Sequence, residues 1–229
     1  MTKMRYAIYY LPDETSLLWR FGSAVIGYDS ISAAPVQHTT IDLQQDLALI
    51  TQEPRTYGFH ATLKAPFRLA NGATEATLLD AAKRFASHEA IVEIGQLEIT
   101  ALGSFIALTA ELSHELREFA ERCVRAFEPF RATMTTEERA KRLRAPLSVR
   151  QVELMEAWGY PFVFDQFRFH MTLTSSLAPE IQTAARDALA ASYSKLRSKV
   201  SLTSVCVCVQ PQGERFRLLR RFPLAPVSS

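Results

Sequence analysis

The chain has 229 residues, 48% of them hydrophobic, enough for a sizeable core, and 26 Lys and Arg against 24 Asp and Glu leave a formal charge of +2. A balance this even excludes a general nucleic-acid binder, so an anionic ligand has to be gripped by a local cluster of positive groups. Three cysteines argue against a disulfide framework and for a reducing compartment, the cytoplasm. The first residues lack the regions of a signal peptide, and no apolar run is long enough to span a membrane.

In chain order, Arg5 to Tyr10 is rich in β-formers and ends before Pro12, which predicts a strand. Asp13 is expected to cap a short helix through about Ala24, followed by a loop from Gly27 to Pro35. Helical spacing of apolar residues predicts helices from Thr74 to about His88 and from Ser113 past Phe127, separated by β-like segments at Ile91 to Thr100 and Ser104 to Leu112. Capping-box spacing predicts short helices over Thr136 to Arg144 and Val149 to Trp158, the second ending at Gly159. A strand over Val163 to Thr174, a helix from Pro179 to about Leu196, and β-like stretches at Val200 to Val209 and Arg215 to Arg220 complete an α+β pattern with mostly antiparallel pairing.

An internal repeat organises these elements. Tyr57-Gly58-Phe59-His60-Ala61-Thr62-Leu63 is matched by Phe167-Arg168-Phe169-His170-Met171-Thr172-Leu173, and a helix and two β-like segments follow each copy. The expected architecture is a single bilobal domain over 1–229. Lobe 1 covers about 1–132, a helical connection about 133–160 and lobe 2 about 161–229, around a central cleft and with strands open to exchange between lobes.

On a strand, His60 and Thr62 point to one face while Phe59, Ala61 and Leu63 point to the other; His170 and Thr172 repeat the arrangement. Imidazole titrates near neutrality, so one histidine can take a proton while the other gives one, and threonine hydroxyls can bond the non-bridging oxygens of a phosphate. Lys64 continues the first polar alternation and Arg168 the second, so each is a candidate anion contact. Tyr57 and Tyr160 are candidates for lining the cleft, with core packing as the competing role. His38-Thr39-Thr40 also fits His-x-Thr but lacks the greasy alternation and is expected in a loop. No spacing of metal ligands occurs, so neither a metal nor another cofactor is expected.

Paired His-x-Thr strands in a duplicated chain of this size resemble the two-histidine (2H) phosphoesterase superfamily. The phrases Tyr57 to Phe67, Trp158-Gly159-Tyr160-Pro161 and Phe167 to His170 are similar to the branch associated with carbon–phosphorus lyase genes and phosphonate breakdown. That resemblance implies His60, Thr62, His170 and Thr172 as the catalytic set, in a fold of two pseudo-symmetric lobes. It implies metal-independent opening of a cyclic phosphodiester on a small phosphorylated substrate such as a five-carbon sugar phosphate. RNA ends or nucleotides are the alternative substrates, for which Arg215, Arg217, Arg220 and Arg221 are the candidate basic groove. A non-catalytic phosphate-ligand binder is a second alternative.

Overall fold

The computed structural model describes residues 4–226. Its elements run β1 (Arg5–Tyr10), α1 (Leu17–Ile26), β2 (Tyr28–Asp29), β3 (Ala34–Pro35), α2 (Leu47–Ile50), α3 (Gln52–Tyr57), β4 (Ala61–Phe67), α4 (Glu75–His88), β5 (Val92–Gln96), β6 (Glu98–Leu102) and β7 (Phe105–Thr109). They continue with α5 (His114–Phe127), α6 (Thr136–Arg142), α7 (Val149–Trp158), β8 (His170–Thr172), α8 (Pro179–Ser194), β9 (Lys199–Leu202), β10 (Ser204–Gln210) and β11 (Arg217–Pro223).

Local chemistry sets the helix ends. Thr74, Ser113, Thr135 and Ser148 each accept from a backbone N–H in the first turn, and Thr135 and Ser148 complete capping boxes with Glu138 and Gln151. The start expected at Asp13 lies later. The Asp13 carboxylate accepts from Thr15 N at 2.8 Å and closes a local turn, while Ser16 caps α1 by accepting from Trp19 N. The strand expected over Val163 to Thr174 shrinks to β8, because Phe164 to Gln166 form a turn of 3-10 helix with Phe164 at φ +54°.

One seven-stranded antiparallel sheet dominates the fold, in the order β11-β10-β1-β4-β8-β7-β6. The sheet interleaves strands from both sides of the helical connection at about 133–160. β10 and β11, from the end of the chain, pair beside β1, while β6 and β7, from before the helical connection, pair beside β8. The β4 and β8 strands meet at the centre, with four strands on the β4 side and three on the β8 side. Ile8, Val205 and Val207 on one sheet face enter the same buried cluster as Leu78 of α4 and Leu116 and Phe119 of α5. Each such side chain contributes roughly 1.5–3 kcal/mol over exposure to water. The opposite face of the central strands carries the polar motif residues.

Candidate active site

Ala61 of β4 stands opposite Met171 of β8. One step along this antiparallel register in either direction sets His60 opposite Thr172 and Thr62 opposite His170. Alternation then turns all four to one face, away from the buried side chains of Phe59, Ala61, Phe169 and Met171. Two segments far apart in sequence thus give a square of two imidazoles and two hydroxyls.

Both imidazoles are fixed in the same way. Nδ1 of His60 lies 2.8 Å from the Gly58 carbonyl oxygen, and Nδ1 of His170 lies 2.8 Å from that of Arg168. A carbonyl only accepts, so each Nδ1 carries the proton and each Nε2 is the basic nitrogen. The Thr62 hydroxyl donates to Nε2 of His60 at 3.2 Å. Gly58 makes the first carbonyl available: its φ of 76° and ψ of 175° suit glycine alone, and a Cβ there would stand 2.6 Å from the Ser30 Cβ.

Tyr9, not anticipated from sequence, holds His60 from the neighbouring strand. It pairs with Thr62 across β1 and β4, and its ring stacks on the imidazole with centroids 3.7 Å apart. Its buried hydroxyl has no hydrogen-bond partner among the described residues. The signal for Tyr9 lay in the alternation of β1, but nothing in sequence says which strand borders β4.

Burial lowers the affinity of both histidines for a second proton. His60 is pushed down to about 4, chiefly by desolvation, against the pull of the Gly58 carbonyl and with a further push from His170. His170 is also lowered by desolvation, partly offset by its bond to the Arg168 carbonyl, while the Arg168 guanidinium adds to the drop. Without an anion beside them, both imidazoles are neutral near pH 7.

His60, His170 and Thr172 open on a cavity of about 240 Å³ whose walls include Tyr57, Tyr160 and Phe105. Tyr57 stacks on Phe216 with its ring 6.3 Å from that of His60, and burial raises the hydroxyl of Tyr160 above the usual tyrosine range. Both tyrosines therefore sit at the cleft. Thr174 completes the wall, its hydroxyl accepting from Ile106 N at 2.9 Å.

Lys64 does not join them. Thr62 pairs with Tyr9 but Lys64 pairs with Ile8, so Leu63 is an extra residue in the ladder, and this bulge turns Lys64 to the opposite face. There it is 2% exposed, ion-paired with Glu128 and donating to the Val124 carbonyl of α5. Arg168 is exposed and is not among the residues lining the cavity; its backbone carbonyl is what serves the site. The basic residues near the chain's end form no groove from the cleft. Arg221 donates to the carbonyls of Leu11 and Pro12, Arg215 lies over the Tyr28 ring, and Arg217 and Arg220 are exposed on β11.

His38 is half-buried away from the cleft, bonded to the Val25 carbonyl and the Arg55 guanidinium. Cys123, Cys206 and Cys208 are buried and free, their thiols raised by burial. Among the described residues no three His, Cys, Asp or Glu side chains group so as to hold a metal ion, and no helix is long and apolar enough to cross a membrane.

Residues 62–217 match a family described as "Protein of unknown function (DUF1045)". A protein of Janthinobacterium sp. (strain Marseille) named ribose 1,5-bisphosphate phosphokinase PhnN is 40% identical over 76% of this chain and 39% of its own length. Its namesake from Laribacter hongkongensis (strain HLHK9) is 35% identical over 95% of this chain and 51% of its own. The chain thus spans about half, or less, of the length of these curated relatives. The crystal structure of TT0787 of Thermus thermophilus covers the whole of both chains at 14% identity and a TM-score of 0.40.

Proposed function

For this chain, which belongs to the DUF1045 family, we propose an activity built on the cleft: metal-independent opening of a small cyclic phosphodiester by paired-histidine acid–base catalysis, as in the 2H phosphoesterases. The observation that carries it is the matched pair of imidazoles. Each donates Nδ1–H to the carbonyl two residues back, which leaves two basic nitrogens and two threonine hydroxyls on one face of adjacent strands.

In this reading His60, held neutral by burial, accepts a proton from water as the water oxygen attacks phosphorus. His170 enters the reaction as the imidazolium, its charged form favoured by the bound anion, and gives its proton to the departing alkoxide. The bond from phosphorus to that oxygen breaks, and a cyclic diester plus water becomes a phosphate monoester. One proton is taken and one given, and exchange with solvent resets the pair. Thr62 and Thr172 donate to the non-bridging oxygens, where charge builds in the transition state.

The substrate class is a pentose phosphate of the kind produced in phosphonate breakdown, in keeping with the ribose bisphosphate in the relatives' names. The kinase in those names belongs, in this proposal, to the part of those longer proteins outside the match. The 229 residues hold no G-x-x-x-x-G-K-[ST] phosphate loop; Gly22 and Gly27 have its glycine spacing, but Tyr28 follows where lysine is required.

Phosphorus NMR on a ribose 1,2-cyclic phosphate 5-phosphate, in EDTA, tests the proposal directly. Turnover by the wild type and its loss in both His60→Ala and His170→Ala are expected. Full turnover in either variant would sink the paired-histidine mechanism.

A further inference from the structure

Beside the cleft lies a second cavity, of about 360 Å³, which shares Tyr57 and Tyr160 with it. Its walls carry Arg5, Arg68, Arg131, Lys141 and Arg142 against one carboxylate, Glu138. Two of these cations are matched: Arg68 grips Glu138 through Nε at 3.0 Å and Nη2 at 3.1 Å, and Arg131 is bound to Glu128. Arg5, Lys141 and Arg142 have no ion pair among the described residues.

We propose that this cavity is an anion subsite that holds a second phosphate, the unreactive end of a doubly phosphorylated small substrate, between Arg5 and Arg142. Which end of the ligand reacts rests on the acid–base reading of the neighbouring cleft.

The placement of the two guanidinium groups supports this. Arg5 shares a strand face with Tyr9, the ring that stacks on His60, about 13 Å further along β1. It is aimed by Gln210, whose side-chain oxygen accepts from its Nε at 2.8 Å, and lies 5.5 Å from the centroid of the Phe216 ring. Arg142, at the end of α6, lies 5.5 Å from the centroid of the Tyr160 ring, at the boundary of the two cavities. Burial, and to a lesser degree the nearby Arg5, weigh against its charge, although Tyr160 and Glu138 partly offset them. Two cations gathered in a half-enclosed space with no ion pair of their own, the one carboxylate there being held by Arg68, cost free energy that a dianion would offset. Paired guanidinium forks also suit a phosphate's oxygens better than a point charge would. The helical connection thereby gains a role, since α6 and the turn after α7 wall the subsite.

The test compares kcat/KM for ribose 1,2-cyclic phosphate with and without its 5-phosphate, in the wild type and in Arg142→Gln and Arg5→Gln, each checked for an unchanged circular dichroism spectrum. The wild type is expected to prefer the 5-phosphate by at least tenfold, and each variant to reduce that ratio about tenfold. A ratio near one, or one unmoved in both variants, overturns the subsite. Calorimetry with ribose 5-phosphate separates this from the chemistry. Binding about tenfold weaker in Arg142→Gln than in the wild type supports the subsite even if no cyclic ester is turned over. Equal binding in both, or no binding, overturns it.

Discussion

The two histidine motifs share a backbone device and differ in what surrounds it. His60 lies under the Tyr9 ring, its Nε2 bonded to Thr62, at the head of a seven-residue strand with neighbours on both sides. His170 starts a three-residue strand, with the Phe105 ring 6.0 Å away, and opens further to solvent. The same Nδ1-to-carbonyl bond fixes which nitrogen is basic in both, but burial decides how hard each is to protonate. A repeated sequence can therefore yield two chemically distinct groups, the division that an acid–base pair needs.

Removing either imidazole gives the largest expected effect. His60→Ala and His170→Ala should each lower kcat by a factor on the order of 10²–10⁴, read by phosphorus NMR in EDTA. The pH profile sharpens the contrast, because His60→Ala should lose the acid limb and His170→Ala the alkaline one. Loss of the same limb in both variants would remove the division of labour.

Stability against pH tests the burial of His60 without any substrate. Its folded value, about 4, lies below the 6.5 of an exposed histidine, so between these values the unfolded chain binds more protons. The advantage of keeping it neutral is complete above about pH 6.5, is lost as pH falls towards 4, and changes no further below that. His60→Gln cannot titrate, so the stability difference between wild type and variant should change by up to about 3 kcal/mol across this window in urea melts. A pH-independent difference would mean that His60 is not shielded as the structure has it.

Gly58 and Arg168 separate the two carbonyl devices. Gly58→Ala puts a Cβ at a backbone conformation reserved for glycine and into Ser30, and should cost about 1–3 kcal/mol while displacing the carbonyl that orients His60. Arg168→Ala keeps its carbonyl and removes an exposed side chain, so the fold should change within about 0.5 kcal/mol. Thermal melts with kcat on both variants check the pair, and equal losses would show that the carbonyls are not what differs.

Much of this site was legible in sequence because alternation and capping are local rules. The repeat identified His60, Thr62, His170 and Thr172 as sharing a face, and Thr74, Ser113, Thr135 and Ser148 announced their helices. What escaped depends on partners distant in sequence. Lys64 was read as a third polar residue on the motif face, and the bulge that turns it away is visible only in its pairing with β1. Tyr9 reaches His60, and Arg5 the neighbouring cavity, because β1 lies between β4 and β10, an order that no property of residues 5–10 specifies. Arg142 gains its place from the packing of a short helix whose sequence reads only as exposed and charged.

Tyr9 offers the smallest and most selective test. Its ring covers His60 while its hydroxyl is buried and unpaired among the described residues, a group that costs about 1–3 kcal/mol to leave unsatisfied. Tyr9→Phe keeps the stacked ring and deletes that hydroxyl, so the protein should be unchanged or more stable by up to about 1 kcal/mol, with His60 titrating where it did. Tyr9→Leu removes the ring and should move the His60 titration, followed by its imidazole NMR resonances, towards 6.5 as water reaches the nitrogen. If instead Tyr9→Phe lowered kcat more than a few-fold, the hydroxyl would have to act on the substrate. Tyr9 would then belong to the reacting set, and the burial that distinguishes His60 from His170 would need another source.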